Sequence, residues 1–177
     1  MSSPATSNFV SVSAVIRAPL TSVWHLIKLS SFADWWTALE KSGPAAKGIS
    51  DEADVYEWTF KDGTSLLVKQ EEHSGALVNL VSVVPAPFLT DLAPVSRVLP
   101  ALRHSISYSV ITSQPALSYS SVIATITLSE VTTGELAGST FITWTGQFSS
   151  DADAGVVEDA KFKREEALAD LAKAVKA

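Results

Sequence analysis

The chain has 177 residues, of which 46% are hydrophobic and 18% charged, a composition that suits one globular domain and excludes a predominantly disordered protein. Thirteen Lys and Arg against 19 Asp and Glu give a net charge of −6, which argues against a nucleic-acid partner because such binders usually present a basic face. With no cysteine, the chain can form neither a disulfide scaffold nor a thiolate metal site.

Targeting signals are not apparent in the sequence. Residues 1–8 lack the basic and apolar regions of a secretory signal, and we expect them to form a loose tail. Two long stretches, 74–90 and 105–129, are free of charged residues, but both contain proline. In the second, apolar residues also alternate with Ser and Thr, so neither stretch predicts a transmembrane helix. We therefore expect a cytoplasmic protein with no insertion into a membrane.

The first third of the chain predicts a strand followed by two short helices. Apolar residues alternate over 9–17, as in a half-buried strand, and change to helical spacing over 21–28. A second helix is expected to be capped by Ser30 or Ser31 and ended by Gly43-Pro44. Its apolar residues are Phe32, Trp35, Trp36 and Leu39.

The middle of the chain predicts an antiparallel sheet. Period-two patterns predict strands over 55–60, 65–70, 104–111, 116–128 and 140–148. Asp62-Gly63 between the first two of these is a strong hairpin signal, and Gly134 with Gly138 marks the turn before the last strand. The clean alternation indicates a sheet with one apolar and one polar face.

A long helix is predicted at the C-terminus, with cap candidates over 149–153. Its apolar face is expected to hold Val157, Ala160, Ala167, Leu168, Leu171 and Val175. Its solvated face is expected to hold Lys161, Lys163, Arg164, Glu165, Glu166 and Lys173. The order of elements predicts an α+β fold, in which an antiparallel sheet packs on one long helix, and a single domain over residues 1–177.

Segment 75–102 does not fit this pattern, because it is apolar and holds four prolines, one acidic residue and one basic residue. It could contain an extra strand over 77–84 and a broken amphipathic helix over 88–102. Three interpretations stay open: a lid over a pocket, an insert that covers a sheet edge, or a poorly folded interaction segment through which two copies form a homodimer.

The opening VSVSAVIRAPLTSVWHLI, with Ala18, Pro19, Val23 and Trp24, resembles the first strand and helix of the START-like, birch-pollen-allergen-like (SRPBCC) superfamily. ISYSVI followed by SYSSVIATITL looks like its middle hairpin, and STFITWTGQFSS, with Trp144, looks like its last strand. The nearest branch is that of polyketide cyclase-like and lipid-transport proteins. The resemblance implies a helix-grip fold, in which a curved sheet wraps the C-terminal helix and leaves a cavity for a lipid, sterol or polyketide-like metabolite.

The catalytic residues of related enzymes transfer poorly to this sequence. Synthase-like members of the superfamily place an Arg on the strand matching 55–60, where this chain has none. These enzymes also place a Glu on the next strand, where the nearest match in this chain is Gln70. The plant hormone receptors of the superfamily use a Lys after the first helix to hold a carboxylate, but the matching residues 32–36 contain no Lys. The resemblance therefore supports ligand binding first, and a cyclase, dehydratase or isomerase only as an alternative.

Aromatic side chains on the predicted strands suggest the walls of an apolar pocket, although each could instead be ordinary core packing. The predicted ligand-binding residues are Trp36, Tyr56, Trp58, Tyr108, Tyr119, Trp144 and Leu168. Glu57, His104 and Tyr108 are the catalytic candidates if the protein is an enzyme. Histidine and carboxylate spacings predict no metal site, and no nucleotide or cofactor motif is present, so we expect no cofactor.

Overall fold

The computed structural model describes residues 7–46, 54–74 and 104–175. Within these residues the chain forms seven strands, two short helices after the first strand and one long C-terminal helix. The strands are β1 (Phe9–Ile16), β2 (Leu39–Pro44), β3 (Val55–Phe60), β4 (Ser65–Ser74), β5 (His104–Gln114), β6 (Val122–Glu130) and β7 (Thr140–Phe148). The helices are α1 (Leu20–Leu26), a 3₁₀ helix (Leu29–Asp34) and α2 (Ala154–Ala174).

The strands form one open, curved, antiparallel sheet in the order β1-β7-β6-β5-β4-β3-β2. Neighbours in the sheet are neighbours in the chain, except that β1 pairs along its whole length with β7. Helix α2 follows β7 directly and packs back across β1. This arrangement confirms the predicted α+β helix-grip architecture.

Several local predictions are confirmed by the backbone. Strands β3 and β7 have the predicted bounds, and the β3–β4 hairpin turns at Gly63 with φ of +87°. Gly134 and Gly138, with φ of +81° and +83°, shape the β6–β7 connection. Only glycine adopts such positive φ angles without strain, so these positions fix where the chain reverses.

Two predicted elements are wrong. Leu39 and Gly43-Pro44 do not belong to a helix, because this stretch forms strand β2 and pairs with β3 from Leu39↔Phe60 to Pro44↔Tyr56. Pro44 is tolerated because β2 is an edge strand, where a missing N–H costs no ladder hydrogen bond. Residues 116–121 are not part of a strand, because Pro115 follows the end of β5 and β6 begins at Val122.

The interior at one end of the sheet is aromatic. Phe32 stacks on Trp58 with ring centroids 4.7 Å apart and meets Trp144 edge-on at 5.9 Å. The buried Trp58 indole donates a 2.8 Å hydrogen bond to the Leu29 carbonyl oxygen. These contacts attach the 3₁₀ helix to the inner face of β3 and β7.

The buried face of α2 contains the predicted Ala167, Leu168 and Leu171, but also two charged residues, Arg164 and Asp170. The prediction that Arg164 belongs to the solvated face is therefore wrong. Asp170 accepts hydrogen bonds from the Thr37 backbone N–H, at 3.2 Å, and from the Thr37 hydroxyl. Burial alone would raise the pKa of Asp170, but these hydrogen bonds and Lys173 outweigh it, so the pKa is lowered.

Some predictions fall on residues outside the described ones. They are the strand over 77–84, the helix over 88–102, the lid, edge-cover and dimerisation roles of segment 75–102, and most of the N-terminal tail. Among the helices in the described part of the chain, none combines the length and the apolar character that crossing a bilayer requires.

Candidate functional site: a cavity between the sheet and the C-terminal helix

A cavity of about 230 Å³ lies between the inner face of the sheet and the first half of α2. Strands β3 to β7 contribute to it through side chains that alternate inward, and α2 closes the opposite side. Its aromatic walls include Trp36, Trp58, Tyr108, Tyr119, Trp144 and Phe148. A cavity of about 150 Å³ holds benzene, so the space here suits a molecule of one or two rings.

The inward positions of β7 form a notch that holds a guanidinium group. Trp144, Gly146 and Phe148 point inward in succession, and the Arg164 guanidinium carbon lies 5.6 Å and 5.8 Å from the Trp144 and Phe148 ring centroids. A Cβ atom on Gly146 would lie 2.6 Å from Arg164 Nη2. Glycine at this position therefore leaves the space that the arginine occupies, with a cation–π contact on each side.

Among the described residues of the cavity wall, Arg164 is the one charged residue that is buried, with 8% of its surface exposed. Its Nη1 donates a 2.9 Å hydrogen bond to the Ala160 carbonyl oxygen, and its buried Nε has no acceptor. Within the described residues, no carboxylate pairs with it. In contrast, Lys163 at the rim forms a 2.8 Å ion pair with Asp159, and both of those side chains are about half exposed.

Two tyrosine hydroxyls share the cavity with this cation. Burial raises the pKa of Tyr108 to about 12, although Arg164 and the neighbouring Trp144 indole act in the opposite direction. Burial also raises the pKa of Tyr119, again opposed by Arg164, and the Tyr119 ring packs edge-on against Phe148 at 5.3 Å. Both phenols are therefore protonated at neutral pH and act as hydrogen-bond donors.

Comparison with protein-family models found no match, and comparison with curated protein sequences found none either. Solved structures do match. XoxI from Bacillus cereus is similar with a TM-score of 0.66, 16% identity and 94% of each chain covered. A START superfamily protein from Mycobacterium smegmatis matches with a TM-score of 0.53 and 11% identity over 94% of this chain and 93% of that one.

A third match is the di-domain ARO/CYC protein StfQ from the steffimycin biosynthetic pathway, with a TM-score of 0.60 and 15% identity. The alignment covers 94% of this chain and 44% of StfQ, so this chain spans less than half of that protein. This chain has the START-like fold. The superfamily resemblance predicted from the sequence is confirmed at the level of the fold, and polyketide cyclases are among the structural neighbours.

In this START-like domain the cavity brings together five of the predicted ligand-binding residues: Trp36, Trp58, Tyr108, Tyr119 and Trp144. Tyr56 and Leu168 do not line it. Tyr56 lies two residues before Trp58 on β3 and therefore on the same face of the sheet. It is half-buried and farther from the hairpin turn, where it pairs with Val68 and Pro44. Leu168 is buried one turn beyond Arg164 on α2 and packs in the core.

The structure does not bring the three catalytic candidates together in the cavity. Tyr108 lines the cavity. Glu57 lies next to Trp58 on β3, so its side chain is on the opposite face of the sheet and does not line the cavity. His104 lies at the far end of β5, edge-on to Trp24 at 4.7 Å, and its pKa is lowered by burial and by the charge of His73. Among the three, Tyr108 alone can reach a guest in this cavity.

The sequence interpretation missed the arginine of the cavity wall. The signal that could have found it is helical spacing, because Arg164 lies four residues after Ala160 and four before Leu168, both assigned to the apolar face. Gly146, in the middle of β7, was a second signal of a close approach. The described residues contain no group of three His, Asp or Glu side chains that could hold a metal ion.

Proposed function

We propose that this protein binds a small hydrophobic molecule in the cavity between the sheet and α2. The observation that carries the proposal is the cavity itself, which is walled by aromatic rings and holds about 230 Å³. Apolar surface leaves water when a guest enters such a space, and the tyrosine hydroxyls can orient a polar group on the guest. The similarity to a START superfamily protein and to StfQ supports the same reading.

The size of the cavity favours small aromatic guests over the larger ligands that the superfamily accepts. Because benzene, with six non-hydrogen atoms, occupies a cavity of about 150 Å³, the present cavity has room for roughly nine or ten non-hydrogen atoms. A sterol or a long acyl chain would extend far beyond it. The favoured class is therefore a one- or two-ring metabolite of the polyketide-like kind.

An enzyme acting in the same cavity is the second candidate, with a cyclisation, dehydration or isomerisation of the guest as its reaction. The specific observation in its favour is that a protonated phenol, Tyr108, and a cation, Arg164, line one cavity. Such a pair can stabilise negative charge that develops on a carbonyl oxygen. Replacement Tyr108→Phe discriminates the two functions, because an enzyme would keep binding its substrate and lose turnover.

Two finer assignments remain predictions from the sequence. They are the cytoplasmic location and the absence of a nucleic-acid partner. The proposed partner is a small molecule, and homodimer formation through segment 75–102 remains a prediction as well.

Native mass spectrometry of the freshly purified full chain tests the binding function. Any bound molecule is extracted and identified, and a panel of neutral one- and two-ring aromatic compounds is then added to the emptied protein. We expect a guest at one molecule per chain. If the purified protein carries none and neither this panel nor an anionic aromatic compound of the same size binds, the proposed function is wrong.

A further inference from the structure

We propose that the natural guest carries a carboxylate group, which pairs with the Arg164 guanidinium inside the cavity. This inference rests on the proposed binding function and names the chemical class of the ligand, an aromatic carboxylic acid in its ionised form. Its basis is a buried cation with which no carboxylate pairs among the described residues.

The guanidinium of Arg164 carries a positive charge. Only 8% of the residue's surface is exposed, and within the described residues the Ala160 carbonyl oxygen accepts from Nη1 while the buried Nε has no acceptor. Burial of a charge is costly unless an opposite charge or hydrogen bonds compensate it. The contacts with the Trp144 and Phe148 rings supply part of this compensation and leave the remaining donors free.

The other charges of the cavity wall do not compensate Arg164. Asp62 is exposed, and Asp159 is paired with Lys163 at the exposed rim. Water and salt screen charges in such positions. Among the described residues, the interior therefore holds one positive charge without an ion-pair partner, which an anionic guest would neutralise.

The site is also built to hold the guanidinium in one place. The hydrogen bond from Nη1 to Ala160 and the notch at Gly146 fix the group between two rings. The hydroxyl of Tyr108, held protonated by burial, and that of Tyr119 lie on the same cavity and feel the charge of Arg164. A planar carboxylate has two oxygen atoms, so it can accept hydrogen bonds from the guanidinium and from a phenol at the same time. A neutral group with a single carbonyl oxygen is a weaker acceptor for this pair of donors.

Calorimetric titration with two guests of equal shape tests the inference, and the probes are benzoate and its neutral analogue benzamide at pH 7, both small enough for the cavity. We expect the carboxylate to bind the wild-type chain at least tenfold more tightly than the amide, as charge-assisted hydrogen bonds are stronger than neutral ones. In Arg164→Met this preference disappears while amide binding stays within about twofold. Lys161→Met, which removes an exposed charge on another face of α2, keeps the preference.

A second variant keeps the arginine and moves it. In Gly146→Ala the new Cβ would meet Nη2, the flexible end of the arginine, so the guanidinium shifts while the fold is retained. We expect the preference for the carboxylate to fall in this variant as well, even if Arg164→Met proves too unstable to study. Equal affinities of the two probes for the wild-type chain, or a preference that survives in both variants, would overturn the inference and leave the binding function standing. Failure of both probes and of the neutral panel would instead contradict the binding function.

Discussion

Replacement of Ala160 by Phe gives the sharpest test that the cavity is a real, fillable space. Ala160 lies on α2, is half-buried and lines the cavity. A phenyl ring added there points into the space between the helix and the sheet. The variant should therefore place a covalent guest where the natural one binds.

The structure sets the expected magnitudes. Benzene occupies a cavity of about 150 Å³, so the ring would use roughly two thirds of the 230 Å³ and leave too little for another ring. Burial of a Phe side chain contributes about 1.5–3 kcal/mol, and the lower helix propensity of Phe relative to Ala removes about 0.5 kcal/mol. We expect the free energy of unfolding to rise by roughly 1–2 kcal/mol, which corresponds to an increase of about 2–8 °C in Tm.

Thermal denaturation and calorimetric titration with benzoate measure the two effects. Ala169→Phe is the matched control, because Ala169 is an exposed alanine on the same helix away from the cavity. We expect Ala160→Phe to abolish guest binding and Ala169→Phe to leave it unchanged. A loss of stability of several kcal/mol in Ala160→Phe, typical of an overpacked core, would refute the reasoning, as would unchanged guest binding.

Three further predictions concern groups around the cavity and the core. Asp170→Ala removes the acceptor of two hydrogen bonds from Thr37 and should lower the free energy of unfolding, measured in urea, by about 2–3 kcal/mol. The control Lys173→Met removes the exposed ion-pair partner of Asp170 and should lower the free energy of unfolding by less than about 1 kcal/mol. Equal losses in the two variants would contradict this account. An ultraviolet absorbance titration should show the Tyr108 phenol ionising at about pH 12, and Tyr108→Phe should remove that transition. Because the folded-state pKa of His104 is lowered from 6.5, the unfolded chain binds that proton more readily, so stability falls as pH drops below 6.5. His104→Gln should reduce the fall in Tm between pH 7.5 and pH 5.5, and an identical fall in the variant would count against the shifted histidine.

Much of the sheet could be predicted because its signals are local. The alternation around Trp144 and the Asp62-Gly63 turn each depend on a few neighbouring residues, and both appear in the structure as predicted. The superfamily resemblance then added the wrapping of a curved sheet around the C-terminal helix and the presence of a cavity.

The charged residues of α2 show where local reasoning ends. Arg164 and Asp170 stand in a stretch of alternating charge that is typical of a solvated helix face. Their burial depends on partners far away in the chain, because Asp170 accepts from Thr37, 133 residues earlier, and Arg164 occupies the notch at Gly146. No pattern within the helix specifies those partners.

The edge strand β2 was missed for a different reason. Gly43-Pro44 normally ends an element, and the apolar spacing from Phe32 to Leu39 imitates a helix. Pairing with β3 outweighs these weak local preferences, since tertiary contacts decide the conformation of short segments.

The most direct measurement of the central claim is a ¹⁵N–¹H spectrum of the tryptophan indole groups during titration with benzoate. Trp36, Trp58 and Trp144 line the cavity, whereas Trp24 stacks on His73 at the other end of the sheet. Single Trp→Phe variants assign the signals. The account predicts saturable shifts of the three cavity signals with the Trp24 signal unmoved. A titration that moves Trp24 alone, or none of these signals, would contradict the cavity as the binding site.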